Sequence, residues 1–124
     1  MKRKTSREIG NIGEDAVCEF LKDNGYEILN RNFTIRGGEI DIVAKKNDCI
    51  AFVEVKTRKC DALQTGEQAV DNAKRQHLIN AANRFMETLD YDCNGRFDVA
   101  VVEMKEDKVT KVKYYVSAFD ASAY

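Results

Sequence analysis

The sequence predicts an α/β domain whose elements run in the order α-β-β-β-α-β-β. Two stretches carry apolar residues at the helical period, five others read as strands, and Gly, Asn and Asp gather at several of the joins. The length of 124 residues fits a single domain spanning 1–124, and 44% hydrophobic with 33% charged residues suffices for a buried core.

Each element has its own signal. From Ser6 to Asn24, the residues Ile9, Ala16, Val17, Phe20 and Leu21 recur at helical spacing, and Gly25 supplies a stop. Tyr26 to Ile35 reads as a strand, Gly37-Gly38 as a turn, Glu39 to Lys45 as a second strand and Cys49 to Arg58 as a third. A loop from Lys59 to Thr65 leads to a long helix over Gly66 to Leu89, with Val70, Leu78, Ala81, Ala82, Phe85 and Leu89 on one face. After the turn-rich Asp90 to Gly95, Phe97 to Glu103 and Lys111 to Ser117 form the last two strands, joined through the charged turn Lys105 to Lys108. Proline is absent, and no repeat, low-complexity tract or linker interrupts the chain.

Composition narrows the function classes. With 20 basic and 21 acidic residues the net charge is −1, so no global field draws a polyanion and only a local basic face would serve nucleic acid. Cys18, Cys49, Cys60 and Cys93 contain no C-x-x-C pair, and His77 is the one histidine. They read as free thiols in a reducing compartment rather than as a structural zinc site. No apolar run approaches the ~18–20 residues that cross a bilayer, and the basic start Met1 to Arg7 is not followed by an apolar signal core. The expected location is the cytoplasm. Chemistry in such a chain has to run on carboxylates and lysine.

The second and third strands carry these groups. Paired around a two-residue Asn47-Asp48 turn, Lys46 faces Cys49, Ala44 faces Ala51, Ile42 faces Val53 and Ile40 faces Val55, which makes one side of the hairpin apolar. The other side sets Asp41 opposite Glu54 and Glu39 opposite Lys56, with Val43 and Phe52 covering its lower part. Like charges facing each other need a cation, a shared proton or full solvation. Two readings fit this face. It is either a solvated set of ion pairs, or a site where Asp41 and Glu54 hold a hard divalent cation and Lys56 serves a water or developing charge. In the first helix, Glu14 lies at the rim of the apolar arc with Gly10 and Gly13 beside it, which allows close approach to a strand or a phosphate. In the second helix, Lys74 falls inside the apolar arc, either snorkelling or contacting a site.

These residues resemble a known pattern. Asp41, twelve intervening residues, then Glu54-Val55-Lys56 resembles the D and (D/E)-x-K elements of the restriction-endonuclease-like nuclease superfamily, although Ile40 stands where that superfamily carries a proline. Gly10, Gly13-Glu14 and Ala16, Leu29-Asn30-Arg31-Asn32, Gly38 to Ala44, Phe52 to Arg58 and Arg96-Phe97-Asp98-Val99 together resemble the bacterial YraN family, which is itself similar to archaeal Holliday-junction resolvases. The resemblance implies a restriction-endonuclease-like mixed β-sheet flanked by helices, with a metal site at a bent hairpin. By position, Glu14, Asp41 and Glu54 would be metal ligands for magnesium or manganese, Val55 would lend its carbonyl, and Lys56 would serve the attacking water.

Three function classes follow. The first is a magnesium-dependent endonuclease acting on DNA, with branched DNA such as Holliday junctions among its substrates and Arg7, Arg31, Arg36, Arg58, Lys74 and Arg75 as phosphate contacts. The second is a non-catalytic nucleic-acid-binding or adaptor module on a nuclease fold, which has no reason to keep a repelling carboxylate pair. The third, a small-molecule enzyme using lysine or cysteine, lacks a phosphate-cradling glycine loop or a Cys-His arrangement. Resemblance to two-fold resolvases adds a homodimer to the expected partners.

Overall fold

A computed structural model describes residues 4–59 and 72–119. The described elements are α1 (Ser6–Asp23), β1 (Glu27–Ile35), β2 (Gly38–Lys46), β3 (Cys49–Lys59), α2 (Asn72–Glu87), β4 (Asn94–Lys105) and β5 (Lys108–Phe119), in the predicted order. The strands form an open sheet in sequential order β1-β2-β3-β4-β5, antiparallel everywhere except between β3 and β4. That parallel pair needs a long connection, and α2 lies within it. Lys59, predicted to open the loop that runs to Thr65, instead ends β3, and the rest of that loop and the first residues of the predicted second helix, Val70 included, lie outside the described residues.

Helix α1 begins at a reciprocal cap: the Thr5 hydroxyl accepts from the Glu8 N–H at 3.1 Å, and the Glu8 carboxylate reaches back to Thr5. Its buried side is Val17, Cys18 and Leu21, which join Ile42, Ala44, Ala51, Val53, Ala100, Val102 and Met104 in one core. On the opposite face, Leu78, Ala81, Ala82 and Phe85 of α2 join Ile40, Val43, Ile50, Phe52, Val99 and Val101 in a second core. Phe85 meets Phe33 and Phe52 edge-on, at 5.3 and 6.0 Å between ring centres. Two glycines let the helices approach the sheet. A Cβ at Gly13 would run into the Thr57 hydroxyl of β3, and one at Gly38 into the His77 carbonyl of α2.

Strands β4 and β5 are longer than their apolar runs, because pairing carries the ladder past them. β4 pairs with β3 in register from Cys49↔Asn94 to Lys59↔Met104, which draws in Asn94 and Gly95, residues of poor strand propensity. β5 starts directly after a two-residue turn at Glu106-Asp107, both with positive φ, that pairs Lys105 with Lys108.

The expected hairpin register holds from Lys46↔Cys49 to Ile42↔Val53 and stops there. Beyond it, the predicted pairings of Asp41 with Glu54, Ile40 with Val55 and Glu39 with Lys56 are not made. β2 continues on β1 through Phe33↔Ile40 and Thr34↔Glu39, while β3 continues on β4 through Glu54↔Val99 and onward. Each strand keeps its outer partner while the inner ladder between them ends. The apolar face is corrected as well: Ile40 and Ile42, two residues apart, enter different cores. Alternation fails at this point because Asn32, with φ of 54°, interrupts β1 between the pairs Arg31↔Ile42 and Phe33↔Ile40.

Candidate metal centre

The parting of β2 and β3 creates a fork, and the (D/E)-x-K residues line it. The N–H of Val55, which a continued ladder would have aimed at Ile40, donates instead to Asp41 Oδ2 at 2.8 Å. The side chain of Asp41 thus does locally what a strand carbonyl does elsewhere. In extended backbone the N–H and C=O of a residue leave on the same edge, so the Val55 carbonyl faces the fork too.

Glu54 is 2% exposed, with the hydrophobic pairs of β3 and β4 around it. Its Oε1 lies 3.5 Å from Lys56 Nζ and 3.4 Å from Lys74 Nζ, the latter arriving from the first turn of α2. Lys74 Nζ also lies 3.5 Å from Oε1 of Glu39. The second oxygen of Glu54, Oε2, is buried with no hydrogen-bond partner. Burial first, then the negative charge of Asp41, pushes the Glu54 carboxyl up to about 7 against the pull of Lys74 and Lys56. Asp41 is raised chiefly by burial, opposed by the Val55 N–H and by Lys74. Burial alone would lower the Lys74 ammonium, but the charges of Glu54, Glu39 and Asp41 hold it above the usual lysine value.

Glu14 stands at the edge of this group. Its carboxyl is raised by burial and then by the Asp41 charge, so it feels the fork electrostatically, yet its ion pair is with Arg31 Nη2 at 3.4 Å. Among the described residues no three His, Cys, Asp or Glu side chains form a ready-made metal set. The donor chemistry nevertheless fits a hard divalent cation: two like-charged carboxylates, one carrying a buried unpartnered oxygen, with a backbone carbonyl on the same opening. The residues that would hold it are Asp41, Glu54 and Val55, with Glu14 the neighbouring carboxylate.

The predicted phosphate contacts are dispersed. Arg31 is engaged with Asp15 at 2.9 Å and with Glu14 on the α1 side of the sheet. Lys74 reaches Glu54 from α2, and Arg58, half-buried on β3, donates to the Thr57 carbonyl at 3.2 Å. Arg75 is half-buried on α2, whereas Arg7 at the start of α1 and Arg36 after β1 are exposed. Only Lys56 and Lys74 bring positive charge within 4 Å of Glu54 among the described residues.

Two groups take roles that the sequence did not assign them. One is Glu39 as the second anchor of Lys74. The other is Asp98, 0% exposed, which accepts from Arg96 Nε and Nη2, from Tyr114 Oη at 2.6 Å and from the Ser117 N–H at 2.9 Å. Arg96 Nη2 donates onward to Tyr26 Oη at 2.6 Å. The available signal was the charged pair Arg96 and Asp98 at the head of a nearly all-apolar strand, since a buried acid demands partners.

The comparisons with known proteins bear on this same span. A family model described as "Uncharacterised protein family UPF0102" matches residues 13–102, which contain Glu14, the fork and the Arg96-Asp98 pair. A UPF0102 protein of Caldicellulosiruptor saccharolyticus is 42% identical over 115 residues, covering 91% of this chain and 98% of the relative. One from Trichlorobacter lovleyi is 38% identical over 119 residues, 94% of each chain, and one from Flavobacterium psychrophilum is 39% identical over 112 residues, 90% of this chain and 93% of the relative. By a match over most of its length and relatives aligned nearly end to end, the chain belongs to the UPF0102 family, which is the YraN family of the motif resemblance.

Proposed function

We propose that this protein is a magnesium-dependent endonuclease that hydrolyses DNA phosphodiester bonds, with manganese as an alternative ion and branched DNA such as Holliday junctions among its candidate substrates. The observation that carries this reading is the fork, where Asp41, Glu54 and Lys56 converge while Glu54 Oε2 stays buried without a partner. A group held in that state has unused binding capacity, which a purely structural carboxylate would have spent on hydrogen bonds. A bound divalent cation would supply Lewis-acid polarisation of the phosphate and a more acidic water. The chain supplies the rest. Asp41 is held in place by the Val55 N–H, Glu54 presents its free oxygen, and Lys56, half-buried beside it, orients the attacking water or offsets charge on the phosphate. Cutting both strands of a junction symmetrically calls for two copies related by a two-fold axis, so a homodimer is part of the proposal.

The test incubates the protein with labelled linear, flapped and four-way DNAs in magnesium or manganese, with EDTA and Glu54→Ala as controls. Metal-dependent cutting, at least ~100-fold slower in the variant, is expected. Wild type that binds DNA but cuts none of these in either metal would overturn the nuclease reading and leave the binding module standing.

A further inference from the structure

Lys74 occupies an unusual position for a surface-helix lysine. Its ammonium sits between Glu54 on β3 and Glu39 on β2, at 3.4 and 3.5 Å, while Lys56 approaches the same Glu54 oxygen at 3.5 Å. Charge-assisted N–H···O contacts close to ~2.7–2.9 Å when they are the preferred partner. These are longer, so both lysines neutralise Glu54 without saturating it, and Oε2 remains unpartnered. A divalent cation taking up Glu54 and Asp41 would bring two positive charges against an ammonium already resting on the same carboxylate. With the cation on Oε2 and the ammonium on Oε1 of one carboxylate, the two repel strongly at this degree of burial. Lys56 is tethered to the fork by its own strand, two residues from Glu54. Lys74 comes from a different element, and Glu39, which it also reaches, has a side chain 55% exposed and holds it weakly.

We propose that Lys74 is an exchangeable counter-ion of the fork: it lies on Glu54 until a divalent cation displaces it, and once released it binds a DNA phosphate beside the metal. This deepens the endonuclease reading and rests on it. Metal binding and phosphate binding are then coupled, each favouring the other, so the protein commits positive charge to DNA only when the cation is in place.

The experiment has two readouts that need no turnover. Calorimetric titration of the full chain with magnesium, without DNA, should show Lys74→Gln binding about fivefold more tightly than wild type, with Lys74→Arg close to wild type because it keeps the competing charge. Fluorescence anisotropy of labelled four-way DNA against salt, in calcium or in EDTA, should show a wild-type slope steeper in calcium by about 0.9, one phosphate contact, beyond any change that Lys74→Gln also shows. Glu39→Gln, which loosens the second anchor, should shrink the difference between calcium and EDTA. Equal magnesium affinity in wild type and Lys74→Gln, or the same calcium-dependent slope change in both, overturns the exchange while leaving the metal site intact. Wild type that takes up no magnesium at millimolar concentration overturns the exchange and the metal reading of the fork together.

Discussion

Two buried acids lie one residue apart in register on neighbouring strands, facing opposite sides of the sheet. Glu54 on β3 pairs with Val99, and Asp98 on β4 pairs with Val53. Asp98 is completely enclosed and receives donors from Arg96, Tyr114 and Ser117, the closest at 2.6 Å. Its network ties the head of β4 to Tyr26 beside α1 and to the irregular end of β5, where Ser117 has φ of 52°. Burial and the Asp98 charge drive the Tyr114 hydroxyl far above its ordinary value, so it stays a donor throughout the useful pH range. Glu54 is buried almost as deeply and has two loose ammonium neighbours, a repelling Asp41 and a free oxygen. One site is saturated and the other is held short of saturation. Saturation builds a joint, whereas unmet valence in a dry site leaves room for a ligand.

The strongest way to break this contrast is mutation of each acid to its amide. Asp98→Asn should cost about 3 kcal/mol or more in denaturant unfolding, because it strips the charge partner from Arg96 and disturbs a shared network. Glu54→Gln should be neutral or stabilising without metal, since it removes repulsion and the burden of a buried charge. Equal losses in both variants would mean that Glu54 is a structural acid like Asp98.

A smaller effect tests how α1 carries Glu14 to the fork. Gly13→Ala gains helix propensity but sets a methyl group against the Thr57 hydroxyl, so a net loss of about 1–2 kcal/mol is expected by thermal or urea melting. Gly10→Ala, with open space at that position, should be neutral or slightly stabilising.

The effect of pH is spread over several units and is read as a slope. Glu54 is raised from 4.5 to about 7 in the folded state, so between those values the folded chain holds the proton more tightly than the unfolded chain. Stability without metal should therefore fall as pH rises from about 4.5 to about 7, by up to ~1 kcal/mol per pH unit, and level off above. Glu54→Gln should weaken this dependence, leaving the part that the raised Asp41 and Glu14 carboxyls contribute. An undiminished slope in Glu54→Gln assigns it to another group.

The residues themselves determined a good deal. The end of α1 near Gly25, the two-residue turn at Asn47-Asp48 and the register from Lys46↔Cys49 to Ile42↔Val53 follow from local chemistry, since period, turn type and alternation act over a few residues. The nomination of Asp41, Glu54 and Lys56 rests on their spacing, although the pairing of Asp41 with Glu54 that put them on one face is not made. The reciprocal cap of Thr5 and Glu8 at the start of α1 is likewise an interaction within three residues. What the tertiary structure decided was how far distant partners stay together. β3 keeps β4 on one edge from Cys49 to Lys59, while its other edge has no β2 partner beyond Val53, which opens the fork after Ile42 and leaves Ile40 in the other core. Lys74 met Glu54 only because α2 lies across the sheet, and Asp98 became a joint only because Arg96, Tyr114 and Ser117 converge from two strands. Local periodicity carries no information about where two paired strands will separate; that belongs to the packing of the whole sheet.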